Sequence, residues 1–308
     1  MEYNGHEIIA GGEDIYSSVV FDWRLIDVCN YKCSYCGAGF GSDLYRPASK
    51  FFKSEHQQNV YIDVLKRLNM RYLKDYEVTL LGGEPTLHPH LFEILRTLET
   101  YTECKKIRLV TNLTKPISYF DQIDQLNCNK LLVTPSIHFE YYREITLTKC
   151  LQMKQEHDYD IMPIIMLHDK EKYWDDMLHF MDICIENNLK YEAVFIEDMC
   201  GYTANYTDTF YGTFADYLNN NFTETYKFTT TRGTLQLTRE QINRNDLKRF
   251  KGWNCTPQMW CIESDGSIVN DCTGEYMHIT GKNVNKKVKC PLDCCNCDIK
   301  WVYSKYKE

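Results

Sequence analysis

Three cysteines within eight residues, Cys29, Cys33 and Cys36 in "CNYKCSYC", constrain this chain more than any other feature. Thiolate sites for zinc or for an iron–sulfur cluster ordinarily use four ligands. A C-x3-C-x2-C trio supplies three. Either a fourth ligand comes from elsewhere in the chain, or one metal position is left open. The trio directly follows a β-rich run, "VVFDWRLID" at 19–27, so whatever it binds sits at the end of a strand.

The next 170 or so residues predict the scaffold around that edge. Further strand-like runs are "YEVTLL" (76–81), "KIRLVT" (106–111), "KLLVTP" (130–135), "DIMPIIML" (160–167) and "YEAVFIE" (191–197). Between the first two strands, Ser54 and Gln57 have the spacing of a capping box, and Val60, Val64, Leu65 and Leu68 follow at helical spacing. Leu91, Ile94, Leu95 and Leu98 repeat the pattern after the second strand. Six strands in βα alternation predict a parallel sheet with crossover helices, either open or rolled into a complete or partial barrel. In both, active-site residues gather at the C-terminal ends of the strands. A second motif, "GGEP", falls on that edge. Gly82 and Gly83 let a ligand approach the backbone closely, and Glu84 projects a carboxylate from a strand end. Alone, this tetrapeptide also describes an ordinary turn.

Composition narrows the function classes. The chain has 308 residues and a net charge of −8, which disfavours nonspecific binding to nucleic-acid phosphates. "MEYNGHEIIAGGED" lacks the basic and apolar regions of a signal peptide, and apolar runs such as "IMPIIML" are too short to span a bilayer. The expectation is a cytoplasmic protein with no membrane or nucleic-acid partner. Fifteen cysteines is an odd count, and they cluster, three at 29–36 and seven between 255 and 297. Isolated cysteines such as Cys104, Cys128, Cys150 and Cys184 read as small buried hydrophobes.

"CNYKCSYC" after strand one and "GGEP" after strand two resemble the radical S-adenosylmethionine (SAM) superfamily. The resemblance covers about residues 18–200 and implies a partial (β/α)6 TIM-type barrel of the α/β class. It implies that Cys29, Cys33 and Cys36 hold a [4Fe–4S] cluster whose fourth iron is left for the amino and carboxylate groups of SAM. Tyr35 matches the aromatic position before the last cysteine, and Glu84 the group that hydrogen-bonds the SAM amino nitrogen. Gly82 and Gly83 belong to the same motif. Asn112 in "VTNL" and Ser136 in "TPSIH" end strands three and four, where the family often places SAM contacts; both are also common turn residues. The implied activity is reductive cleavage of SAM to a 5′-deoxyadenosyl radical that abstracts hydrogen from an unactivated C–H bond, with a reductant such as flavodoxin or ferredoxin. A structural zinc site borrowing a fourth cysteine is the alternative for the trio.

Past residue 250 the chain changes character. "GWNCTPQMWCIESDGSIVNDC" carries Cys255, Cys261 and Cys272 around a hairpin turn at "SDGS", and "CPLDCCNC" adds Cys290, Cys294, Cys295 and Cys297. The layout resembles the SPASM/twitch extensions of radical SAM enzymes, small cysteine-rich modules with auxiliary iron–sulfur clusters. That implies at least one auxiliary cluster on Cys255 and Cys272 with two of Cys290, Cys295 and Cys297, although the spacing departs from the full seven-cysteine pattern. Structural zinc suits four thiolates equally well. Cys261, in a predicted strand, reads as a packing residue. The expected units are a core barrel (18–200), a bridging segment (201–250) and the auxiliary module (251–308).

The bridging segment is rich in Tyr, Thr and Asn and reads as a solvated connector, the lining of a polar substrate pocket being the alternative, with a hairpin turn at Arg232-Gly233 and a cap from Thr238 to Gln241. The resemblance to SPASM/twitch extensions implies a peptide or protein substrate, for cross-linking, oxidation or epimerisation. The alternative is dehydrogenation or epimerisation of a small polar molecule such as a sugar or aminocyclitol. Strand one begins near residue 19, so no leader-peptide-binding domain is expected before it, and no cobalamin-binding extension is seen. A non-catalytic iron–sulfur or zinc protein is the third reading. Cys200 in "FIEDMCGY" follows the sixth strand and is a candidate hydrogen-atom donor in an epimerisation, against a plain packing role.

Overall fold

The computed structural model describes residues 2–11, 19–36, 54–70, 73, 75–196, 203–221, 225–247, 249–256, 258–270, 272–278, 286–291 and 305–307. The side chains of Ser54 and Gln57, and all of Cys200, Cys294, Cys295 and Cys297, lie outside the described residues. None of the described helices is long and apolar enough to cross a membrane.

A short hairpin, β1 (Glu2–Tyr3) and β2 (His6–Gly11), opens the chain. Strand and helix then alternate as β3 (Val19–Ile26), α1 (Ser54–Leu68), β4 (Tyr76–Gly82), α2 (Leu91–Thr100), β5 (Cys104–Thr111) and α3 (Ile117–Asp124). They continue as β6 (Leu131–Ile137), α4 (Glu144–Glu156), β7 (Asp160–Ile161), β8 (Ile164–Leu167), α5 (Trp174–Glu186) and β9 (Glu192–Phe195). The order β3-β4-β5-β6-β8-β9 is parallel throughout, and its ends do not pair with each other. This is the parallel sheet that the βα alternation predicts, in the open form of a barrel.

Period-two alternation decides which residues face the helices. Phe21, Trp23, Leu25, Tyr76, Val78, Leu80, Ile107 and Leu109 share one buried cluster with Tyr61, Val64, Leu65 and Leu68 of α1 and the Leu91, Ile94, Leu95, Leu98 face of α2. The intervening positions include Asp22, Arg24, Thr79 and Arg108 beside the apolar Val20, Leu81 and Val110. Asp22 pairs in register with Thr79, and Thr79 with Arg108. The predicted strand at 160–167 is split by Pro163, which in the continuing register would stand opposite Pro135. Neither proline has an N–H for the ladder, so β7 and β8 pair with β6 on either side of the break.

The second half of the chain is woven into this core. Its elements are α6 (Asp208–Thr213), α7 (Ala215–Asn221), β10 (Thr225–Thr230), β11 (Gly233–Thr238) and α8 (Arg239–Arg244), followed by β12 (Asn254–Cys255), β13 (Met259–Ile262), β14 (Ile268–Asn270), β15 (Val288–Lys289) and β16 (Lys305–Tyr306). The solvated-connector reading of 201–250 is corrected here. Phe210, Phe214 and Leu218 recur every four residues and are buried, the two phenylalanines edge-on to Trp174 at 5.5 and 5.9 Å. The β10–β11 hairpin turns just ahead of Gly233, and the cap is present: Thr238 N donates to Gln241 Oε1 (2.9 Å) and Gln241 N to Thr238 Oγ1 (3.2 Å).

A second sheet runs β11-β10-β2-β16-β12-β15, so the N-terminal strand pairs with both the bridge and the C-terminus. β13 instead joins the barrel sheet, parallel to β3 from Val20 to Trp23, and turns into β14 through the expected SDGS hairpin with Gly266 at φ 83°. Cys261 is buried in β13, in register with Asp22.

Candidate active site

β3 ends at Ile26, and the residues after it are stitched to the GGEP turn. Gly83 N donates to Ile26 O (2.7 Å) and Glu84 N to Val28 O (2.8 Å). A Cβ on Gly82, whose φ is +129°, would lie 2.6 Å from Ile26 O, and one on Gly83 would lie 2.1 Å from Val28 O. The close approach these glycines permit is thus to the chain leading into the cysteine loop. Ligand proximity, the reason expected from sequence, is not needed to explain them.

Glu84 is 1% exposed. Its Oε1 accepts from Thr86 N (3.0 Å), Thr86 Oγ1 (2.5 Å) and Thr111 Oγ1 (2.7 Å), and its Oε2 accepts from Asn112 N (2.7 Å). Four donors leave one Oε2 lone pair for any further partner. The carboxylate therefore braces the ends of β4 and β5 first. Burial raises its pKa above the ordinary carboxylate value, against the opposing pull of these donors.

That brace aims Asn112. Its Nδ2 donates to Asn30 Oδ1 (2.8 Å) and lies 3.8 Å from Cys29 Sγ, which also takes Tyr31 N at 3.4 Å. Asn112 is buried and contacts the cysteine loop, which a solvated turn residue would not do. Cys36 N donates to Cys33 O (3.1 Å), closing the turn that brings the last two cysteines together.

The far side of the loop rests on residues after β6 and β8. Tyr35, buried, meets His138 Nδ1 through its hydroxyl (2.9 Å), and His138 Nε2 meets Ser136 Oγ (2.9 Å). Ser136 and Tyr35, both expected at the site, are thus joined through one histidine. Burial lowers the pKa of His138 to about 4, so the ring is neutral near pH 7. Glu140 accepts from Ser34 N (2.7 Å) and Ser34 Oγ (2.5 Å), and Tyr141 accepts from Lys32 N (2.9 Å) while stacking on Tyr31 at 4.3 Å. His138, Glu140 and Tyr141 were not legible from motif spacing; the available signal was their place in "HFEYY", just past a strand end. Beside them a cavity of about 410 Å³ is lined by Tyr31, Thr114, Glu140, Tyr141, Arg143 and Lys149, among others.

The thiols fit an iron–sulfur cluster. Burial pushes the pKa values of Cys29 and Cys33 up, Glu84 and Glu140 add to this, and the neighbouring thiols raise them further, so bare thiolates at these two positions would be unfavourable. An electron-poor metal centre offsets that penalty, as do the N–H groups on Cys29. Among the described residues no three His, Cys, Asp or Glu side chains converge as ligands of a single metal ion. A cubane does not require that, since each thiolate takes its own iron.

The described C-terminal cysteines are placed differently. Cys255, Cys272 and Cys290 are buried, the latter two in an apolar cluster with Trp253, Met259 and Phe250. Cys255 pairs across β12–β15 with Val288, two residues from Cys290.

The radical SAM superfamily model matches residues 23–205, well over half of the chain. The chain belongs to the radical SAM superfamily. Membership implies a [4Fe–4S] cluster and SAM. GTP 3′,8-cyclase of Actinobacillus pleuropneumoniae serotype 5b (strain L20) is 35% identical over 90 residues, which is 29% of this chain and 24% of that one. GTP 3′,8-cyclase of Clostridium perfringens (strain SM101 / Type A) is 23% identical over 188 residues, 56% of this chain and 46% of the relative. The chain thus spans between about a quarter and a half of these curated relatives. The structure of anSMEcpe with bound AdoMet superposes with a TM-score of 0.50 at 17% identity, covering 82% of this chain and 70% of that one, a likeness of fold.

Proposed function

We propose that this radical SAM enzyme acts on a small polar molecule held in the barrel lumen, with Cys29, Cys33 and Cys36 as the cluster ligands. A cluster held by these three thiolates would pass an electron from an external reductant such as flavodoxin or ferredoxin to SAM, the chemistry by which the family makes a hydrogen-abstracting radical. Glu84, Asn112 and the Tyr35–His138–Ser136 chain orient the loop, and Arg143 and Lys149 are cations lining the adjoining cavity.

One observation carries the substrate class. Arg108 on β5 reaches Glu192 on β9 (2.8 Å) and Thr134 on β6 (3.0 Å). β5 and β9 are separated in the sheet by β6 and β8, so the pair crosses the lumen. With Asp22, Arg24 and Thr79 on the same face, the lumen offers charge and hydroxyl groups, which suit a hydroxylated or charged small molecule. On this ground we favour a small polar molecule over the peptide substrate implied by the C-terminal resemblance. The GTP 3′,8-cyclase relatives, named for a small polar substrate, support the same direction.

We also propose an auxiliary iron–sulfur cluster on Cys255, Cys272 and Cys290 with Cys295 or Cys297, zinc being the competing occupant. Cys200 is retained as a proposed hydrogen donor only if the product is an epimer. The deciding experiment is deuterium transfer into 5′-deoxyadenosine from labelled candidates: transfer from a polyol or amino-polyol supports the reading, and transfer only from a peptide replaces it.

A further inference from the structure

The end of β3 is gripped from two sides. On one side the GGEP turn takes Ile26 O and Val28 O. On the other side, the β13–β14 turn makes side-chain contacts that the sheet ladder does not require. Arg24 Nη1 donates to both oxygens of Glu263 (2.9 and 3.0 Å), and the Ser264 hydroxyl donates to the Asp27 carboxylate. The turn is itself seated on α1: Arg67 Nη1 donates to Gly266 O (3.0 Å), and a Cβ on Gly266 would stand 3.0 Å from Val60 Cγ1. Asp27 is two residues before Cys29. Glu263 and Ser264 therefore reach the last residues of the strand that delivers the cysteine loop, from the part of the chain bracketed by Cys255 and Cys272.

We infer that Glu263 and Ser264 are positioning residues for the cysteine loop, so that the C-terminal hairpin sets where Cys29 lies. The inference rests on the proposed cluster at Cys29, Cys33 and Cys36. Its physical basis is the short lever. β3 is paired on both sides as far as Trp23; from Arg24 to Ile26 the ladder continues on the β4 side alone, and on the other side Arg24 and Asp27 are held by the 263–264 contacts. Removing those contacts leaves the strand end that leads into the loop held from the β4 side. A displacement near 1 Å at a reacting centre can cost up to about 100-fold in rate.

Ser264→Ala, Glu263→Gln and the double variant of the full chain, each anaerobically reconstituted, test this, with Ser264→Thr as the rescue. In the metal-free proteins, amide hydrogen exchange at residues 26–36 should quicken in the double variant and return toward the parent value in Ser264→Thr. In the reconstituted proteins the KM for SAM should rise about threefold and the cleavage rate fall about tenfold, consistent with a sub-ångström shift. The electron paramagnetic resonance (EPR) signal of the SAM-responsive cluster should shift. Unchanged loop exchange and unchanged EPR in a folded double variant would overturn the inference, whether or not its melting temperature falls. Failure of the underlying cluster assignment looks different: the parent protein itself would show no SAM-responsive signal.

Discussion

The two cysteine-rich regions of this molecule share a ligand type and little else. At the barrel mouth, Cys29, Cys33 and Cys36 are part-exposed on a loop hydrogen-bonded to Asn112, His138, Glu140 and Tyr141. In the C-terminal half, Cys255, Cys272 and Cys290 are buried, and the latter two share an apolar cluster with Trp253, Phe250 and Met259. A site that must admit a ligand keeps a wet, hydrogen-bonded rim, and a site that only holds the fold can close over its metal. The difference suits the proposed exchange with SAM at the first region and the proposed closed coordination at the second.

The largest expected effect is at the open site. Cys33→Ala should abolish 5′-deoxyadenosine formation under a strong reductant while leaving C-terminal metal in place, measured by product chromatography and metal analysis. Equal loss of metal from both regions would erase the distinction. Next, Glu84→Ala removes the acceptor of four donors in a site 1% exposed. It should lower stability by about 3 kcal/mol in chemical denaturation, because buried donors are left unpaired. Third, Cys272→Ala should lower metal content and melting temperature yet retain SAM cleavage above background. If it behaved like Cys33→Ala, the C-terminal region would be part of the open site.

The smallest effect is a slope. Burial, helped by His90, lowers the pKa of His88 to about 4, below the 6.5 of a free histidine. Between those values the unfolded chain binds a proton that the folded chain refuses, so stability is full above about pH 6.5 and declines as pH falls toward 4. His88→Gln should flatten the fall in melting temperature across that window relative to the parent protein. An unchanged slope would mean that His88 is already protonated in the fold.

The barrel edge was legible in the sequence because its signals are local. Period-two runs gave the strands, and "CNYKCSYC" and "GGEP" fell where parallel strands end. What was not legible depends on distant partners. Nothing in "QMWCI" says that it pairs with β3, more than 230 residues earlier, or in "HEIIAG" that it lies between β10 and β16. Residues 201–250 carried a readable signal, the four-residue spacing of Phe210, Phe214 and Leu218, under a composition that suggests a solvated loop. Ser136 and Asn112 were ambiguous as turn residues. Their partners His138 and Asn30 distinguish them, and those contacts form only once the sheet is assembled.

The cluster proposed at the mouth of this barrel has one position open to SAM. The most direct measurement uses the triple variant Cys255→Ala/Cys272→Ala/Cys290→Ala, anaerobically reconstituted and reduced, with EPR spectra recorded before and after SAM is added. The account predicts about four irons per chain, as one [4Fe–4S] cluster requires, and a signal whose g-values change on adding SAM. A variant that holds its full iron and gives the same spectrum with and without SAM would contradict it.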